Sequence, residues 1–118
     1  MASHNETGKD GEQLALGYLR QSGYEILHCN WRFLKYEIDI IAKKKDRLHF
    51  IEVKSRNYFP GAYPEESVTK KKFNFIKTAA DEFLYRHPEY VHVQFDVLAI
   101  TLHKFGEPEY FLIEDVFL

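Results

Sequence analysis

Two hydrophobic periods alternate along the chain, and the changes between them mark out the elements. Within Gly8–Ser22, Leu14, Ala15, Tyr18 and Leu19 recur at three- and four-residue spacing, which predicts a helix, and Gly23 is placed to stop it. Tyr24–Phe33 reads as extended, with Ile26, Leu27 and Trp31 available to a core. Two β-branched runs follow, Glu37-Ile38-Asp39-Ile40-Ile41-Ala42 and Phe50-Ile51-Glu52-Val53-Lys54. They flank Lys43-Lys44-Lys45-Asp46-Arg47, and together predict a hairpin over about Tyr36–Arg56. Pro60, Gly61 and Pro64 make residues 57–67 a long loop, of the kind that often covers a site. A second helix is predicted over Val68–His87, with Phe73, Ile76, Ala80, Phe83 and Leu84 as its apolar stripe and Pro88 as its end. Tyr90–Leu102 alternates through Val91, Val93, Phe95 and Val97, then runs apolar through Leu98-Ala99-Ile100, as a strand entering the middle of a sheet does. After a turn over Lys104–Pro108, Tyr110–Leu118 supplies a last strand, either core or edge. The expected order is α-β-β-β-α-β-β, an α/β fold, with residues 1–7 a flexible tail and 8–118 one domain without repeats or linkers.

The hairpin carries the chemistry. With a two-residue loop at Lys45 and Asp46, counting outward sets Asp39 opposite Glu52 and Glu37 opposite Lys54, and strand alternation puts all four on one face. Two carboxylates directly opposite each other repel, so the pattern calls for a positive charge between them. Hard divalent cations such as Mg²⁺ or Mn²⁺ prefer carboxylate oxygens. Asp39 and Glu52 are therefore the expected metal ligands, with the backbone carbonyl of Val53 beside them. Lys54 is placed to orient an attacking water or to stabilise charge on a phosphate, and Arg56 to help hold the scissile strand. This is the arrangement of a metal-dependent phosphodiesterase. The apolar neighbours Ile38, Ile40, Ile41, Phe50, Ile51 and Val53 embed these charges in core-forming strands, where charges are rarely left without a partner. The competing reading is a solvated cross-strand charge pattern around a hydrogen-bonded Asp39.

Composition narrows the class. The chain has 118 residues, 45% hydrophobic and 16% aromatic, which suits one modest packed core and argues against long disorder. No apolar run approaches the roughly 20 residues of a membrane span, and Met1–Asp10 is polar, without a signal-peptide core. The single cysteine, Cys29, excludes an internal disulfide and a cysteine-rich zinc site, and a cytoplasmic protein is the simplest expectation. The six histidines show no metal-ligand spacing, and no glycine-rich phosphate loop is present. The net charge of −2 weighs against strong sequence-independent nucleic-acid binding. Yet Lys43, Lys44, Lys45 and Arg47 cluster, as do Lys70, Lys71 and Lys72, with Lys54 and Arg56 between them in sequence. Such clusters read either as local basic surface around an acidic site or as solvated turn and helix-end charges.

The Asp39…Glu52-x-Lys54 pattern resembles the nuclease motif of the restriction-endonuclease-like fold, PD-(D/E)xK. Gly8-x-x-Gly11-Glu12-x-x-Ala15, Leu19-x-x-x-Gly23-Tyr24-x-Ile26-Leu27 and Asn30-x-Arg32 further resemble the opening of the YraN-like uncharacterised protein family. Glu37–Ala42, Phe50–Arg56, Val68-Thr69 with Lys72, and Phe95-Asp96-Val97 resemble its later parts, so the likeness spans roughly residues 8–100. It implies a restriction-endonuclease-like fold, a central mixed sheet flanked by helices, related to archaeal Holliday junction resolvases. It further implies an endonuclease acting on DNA, with branched DNA as a substrate class and a homodimer as a working unit. It carries over Asp39, Glu52 and Lys54 as the triad, Glu12 as an accessory acid assisting metal or water, and Lys72 as a phosphate contact. Glu37 matches an acidic residue before the triad and could instead pair with Lys54. The chain departs from the pattern at Ile38, where the general motif has proline, at Tyr36, where the family usually has glycine, and at Gln94, where it often has arginine.

Two other readings compete. One is a nucleic-acid-binding protein of the same fold without turnover, for which Lys70–Lys72 serve equally well. The other is a protein-interaction domain presenting Tyr58, Phe59 and Tyr63, rings that could equally pack over the core or stack on single-stranded bases.

Overall fold

The computed structural model describes residues 2–61 and 70–116, with side chains over 11–61 and 70–116. The element order is α1 (Ala2–Gln21), β1 (Glu25–Phe33), β2 (Tyr36–Lys44), β3 (Arg47–Asn57), α2 (Lys70–Arg86), β4 (His92–Leu102) and β5 (Glu109–Ile113). This is the order expected from the sequence. The strands form one mixed sheet in the order β1-β2-β3-β4-β5. β3 and β4 run parallel and every other neighbouring pair is antiparallel. Parallel neighbours need a long crossover connection, and α2 lies within it.

Each helix covers one face of the sheet. Ala15, Leu16 and Leu19 of α1 pack with Ile40, Ala42, Ile51, Leu98 and Ile100. Ile76, Ala79, Ala80 and Phe83 of α2 pack with Ile38, Ile41, Leu48, Phe50 and Val97. The apolar stretch at Leu98–Ile100 is explained by its place: β4 has strands on both sides and a helix on each face.

The ends of the elements follow local chemistry. Gly23 takes φ 95°, Tyr24 N–H reaches Leu19 C=O at 2.9 Å and Gly23 N–H reaches Arg20 C=O at 3.1 Å, a Schellman stop for α1. The β2–β3 turn has Lys45 at φ 57°, with Lys44 paired to Arg47, so the loop is the two residues Lys45 and Asp46.

Two boundaries differ from the sequence reading. α1 begins at Ala2 rather than Gly8 and so takes in the segment read as a tail. Residues 2–7 have almost no apolar periodicity, but helix hydrogen bonds do not require it. β5 ends at Ile113 rather than running to Leu118, because Asp115 adopts φ 60° and turns the chain. It is an edge strand. Val68 and Thr69, which start the second predicted helix, Tyr63 and Pro64 of the predicted loop, and Phe117 and Leu118 of the predicted last strand lie outside the described residues.

Candidate active site

The site forms where β2 parts from β3. Their ladder runs from Lys44↔Arg47 to Ile40↔Ile51 and ends there, although both strands continue. The next residue on β2 is Asp39. Its Oδ2 accepts the backbone N–H of Val53 at 2.8 Å, so a side chain takes a bond that a strand carbonyl would have filled. The same irregularity shows on the other side of β2. β1 pairs Cys29 with Ile40 and Trp31 with Ile38, skipping Asn30, which sits at φ 53°.

Glu52, on β3, is 8% exposed and lies beside Asp39. Burial, and then the charge of Glu52, push the Asp39 carboxyl up from 3.8 to about 7, against the opposing pull of the Val53 N–H. Glu52 Oε2 is 2.6 Å from the ammonium of Lys72 on α2. Burial draws the Lys72 pKa down, but the hydrogen bond and charge of Glu52 outweigh it, and the net direction is upward. Lys54 follows Glu52 on the same side of β3 and reaches Lys72.

The carboxylates open onto two clefts. One is lined by Lys35, Tyr36, Glu37, Asp39, Glu52, Lys72 and Phe75, with Tyr36 and Phe75 ring centroids 5.2 Å apart. The other is lined by Glu12, Asn30, Asp39, Val53 and Ser55. Asp39 belongs to both. In the second cleft Asn30 Nδ2 donates to Glu12 Oε2, which ties α1 to β1. Helix α1 comes close enough to β3 here that a Cβ on Gly11 would stand 2.5 Å from Ser55 Oγ.

The structure thus brings together Asp39, Glu52, Val53, Lys54 and Lys72, with Glu12 across the second cleft. Arg56 lies further along β3, and its Nη2 is buried without a hydrogen-bond partner. Lys70 is exposed at the start of α2 and does not line either cleft. Glu37 lines the first cleft, but its Oε1 is 3.6 Å from Arg32 Nη2, and the ladder that would set it opposite Lys54 has already ended. Asn30 and Ser55 were not among the sequence candidates. Asn30 is visible in the sequence only as part of the Asn30-x-Arg32 pattern, and Ser55 only as part of the Phe50–Arg56 segment.

Among the described residues no three His, Cys, Asp or Glu side chains converge as a closed metal cage. The donor set nevertheless suits Mg²⁺ or Mn²⁺. Mg²⁺ is commonly held by one or two carboxylates while keeping several waters. Asp39 and Glu52 provide those; they are adjacent, Glu52 buried and Asp39 half-buried. The N–H of Val53 points into the fork, and in a paired strand residue the carbonyl points to the same side.

A family model described as "Uncharacterised protein family UPF0102" matches residues 11–100. The chain belongs to this family. UPF0102 relatives include a protein of Phocaeicola vulgatus, 40% identical over 116 residues, covering 98% of this chain and 93% of its own. One from Christiangramia forsetii is 42% identical over 106 residues, covering 90% and 89%. The UPF0102 match takes in α1 from Gly11, the whole hairpin, α2 and most of β4, and hence every residue of both clefts. Among the described residues of this UPF0102 protein, no helix is long and apolar enough to cross a membrane.

Proposed function

We propose that this protein is a cytoplasmic metal-dependent endonuclease that hydrolyses DNA phosphodiester bonds. One observation carries the reading: two carboxylates, the half-buried Asp39 and the buried Glu52, sit side by side at the parting of two strands, with Lys54 and Lys72 next to them. Phosphodiesters resist attack because the anionic phosphate repels nucleophiles. A bound Mg²⁺ or Mn²⁺ would neutralise that charge and make water a stronger nucleophile. Asp39, Glu52 and the Val53 carbonyl would hold it. Lys54 would orient the attacking water or stabilise charge developing on the phosphate. Glu12, positioned by Asn30, would bind water on the far side of Asp39. Lys72, Arg56 and Lys70 would hold the strand. The resemblance to resolvases supports branched DNA as the substrate and a homodimer that places two sites on it.

The test is cleavage of labelled duplex, single-stranded, flap and four-way-junction DNA with Mg²⁺, Mn²⁺ or EDTA. Metal-dependent cutting that disappears in Glu52→Ala and Lys54→Ala is the expected result. Full activity of folded Glu52→Ala would remove the assignment.

One observation favours a second reading, a nucleic-acid-binding protein without turnover. Lys72 already gives Glu52 a counter-charge at 2.6 Å, so this carboxylate is partnered without a metal. Binding of the same DNA panel with no cleavage under any metal would select it.

A further inference from the structure

We infer that the end of β3 beyond the carboxylates is a stacking platform for unpaired bases, so that the substrate carries a single-stranded segment next to the scissile phosphate. This rests on the nuclease reading and specifies its substrate. Side chains alternate along a strand, so Glu52, Lys54, Arg56 and Tyr58 fall in one row on one face. Tyr58 keeps that alternation although β3 ends at Asn57, because its N–H bonds to Leu102 C=O at 2.8 Å and prolongs the parallel pairing with β4. The row therefore reads carboxylate, ammonium, guanidinium, aromatic ring.

The ring is held in place. His103, at the end of β4, stacks on Tyr58 with centroids 4.8 Å apart, and Glu109 Oε1 lies 2.9 Å from His103 Nε2, fixing the imidazole. Despite this support Tyr58 remains 50% exposed. Phe59, next in sequence, and Phe105, in the turn after β4, are 58% and 87% exposed, and the Lys104 ammonium lies 5.6 Å from the Phe105 ring centroid. Exposed rings interleaved with Lys54, Arg56 and Lys104 suit a polyanion with aromatic faces. A continuous duplex buries those faces in its own stack, whereas an unpaired strand offers them, and stacking of this kind is tolerant of sequence.

The spacing gives a length. Six residues of strand separate Glu52 from Tyr58, about 20 Å. Nucleotides stacked at about 3.4 Å each cover that distance in about six steps. The platform is thus set for a base about six nucleotides from the phosphate at the carboxylates.

The experiment measures binding of the full chain in EDTA, by fluorescence anisotropy, to blunt duplex DNA and to the same duplex with single-stranded tails of graded length. The wild type should bind tailed DNA more tightly once the tail exceeds about six nucleotides. Tyr58→Ala and Phe105→Ala should each lose about five-fold or more on long tails, the lower end of base–aromatic stacking, and leave blunt-duplex affinity unchanged. Tyr58→Phe should retain the gain. A 2-aminopurine at the sixth tail position should be quenched by the wild type and not by Tyr58→Ala. Equal binding of tailed DNA by wild type and both alanine variants, while blunt duplex is bound, would overturn the platform and leave the nuclease reading standing. Absence of binding to any of these DNAs would also overturn the platform, while the nuclease reading stands or falls separately on the cleavage panel with metal.

Discussion

Asp39 and Val53 are joined by a hydrogen bond from backbone to carboxylate, 2.8 Å long, at the point where the ladder between their strands stops. The bond aims the Asp39 carboxylate into the fork and beside Glu52. It also sets an electrostatic conflict, because one acceptor oxygen is satisfied by an N–H while burial and Glu52 disfavour the charge.

That conflict makes the metal-free protein pH-sensitive. Asp39 titrates at 3.8 in the unfolded chain and near 7 in the folded one, so between these values the folded state holds more protons. Stability from this group is fully present below about pH 4 and is lost as pH rises through about 7. Asp39→Asn keeps an oxygen for the Val53 N–H but removes the titration. Thermal melts in EDTA from pH 5 to pH 8 should show a falling Tm for the wild type and a flatter profile for the variant. Parallel profiles would show that Asp39 is charged throughout.

Metal binding should run the opposite way. A cation competes with the Asp39 proton, so the affinity for Mn²⁺ should rise as pH increases through about 7. Calorimetric titration of the wild type at several pH values checks this, and Asp39→Asn should bind weakly at all of them.

Lys72 is the counter-charge of Glu52. In Lys72→Met the carboxylate at 2.6 Å loses its partner while staying buried. Lys72 is 43% exposed at its side chain, so water screens part of the pair, and the expected cost is about 1–2 kcal/mol rather than that of a fully buried bridge. Glu52→Gln in the same background should recover most of it. Denaturant unfolding of the two single variants and the double variant measures the coupling, and strict additivity would deny the pair any energetic role.

Asp96 anchors the C-terminal segment. It is 2% exposed; its Oδ2 lies 2.7 Å from His49 Nδ1, and its Oδ1 takes Gln94 Nε2 at 2.8 Å and the Asp115 N–H at 2.9 Å. Asp96→Ala strands these buried donors and should cost about 3 kcal/mol or more. Hydrogen exchange at the Asp115 and Val116 amides should accelerate well beyond that of the sheet centre. Unchanged exchange there would mean that Val116 is held by its own bond to Phe95 C=O alone.

Gly11 carries a steric prediction. A methyl group there would meet Ser55 at 2.5 Å from Oγ and 2.8 Å from Cβ. Gly11→Ala should therefore destabilise the fold by about 1–3 kcal/mol through overpacking. Gly11→Ala combined with Ser55→Gly should be milder than Gly11→Ala alone, as read by chemical denaturation. Ser55→Ala should not rescue, because the Cβ contact persists.

Local pattern explains what was legible. The register of the hairpin followed from a two-residue loop, and strand alternation then placed Glu52 and Lys54 on one side of β3 and Asp39 next to Glu52. The two helices followed from their stripes, and the element order from both. What stayed hidden depends on pairings distant in sequence. Nothing near His49 announces that parallel pairing of β3 and β4 sets it against Gln94 and close to Asp96, so it read as an isolated histidine. Lys72 was expected at a phosphate, but its contact with Glu52 depends on how α2 lies over the sheet. Asn30 was missed as a site residue because its left-handed φ breaks the alternation on which strand reading relies.

The parting of β2 from β3 has a mechanical side. Below the fork the two strands are stitched together from Ile40↔Ile51 to the turn, and β3 is backed by β4 along its whole length. Above the fork Asp39 and Glu52 ride on two tines tied by the Val53 N–H bond to Asp39 rather than by ladder pairs. The gap between them can widen or narrow through a small twist of β2, without breaking a bond of the β2–β3 ladder. In the proposed metal site an ion of larger or smaller radius would be met by adjustment of one tine, and selectivity among divalent cations would fall to the waters and the phosphate that complete the shell, not to the stiffness of the sheet.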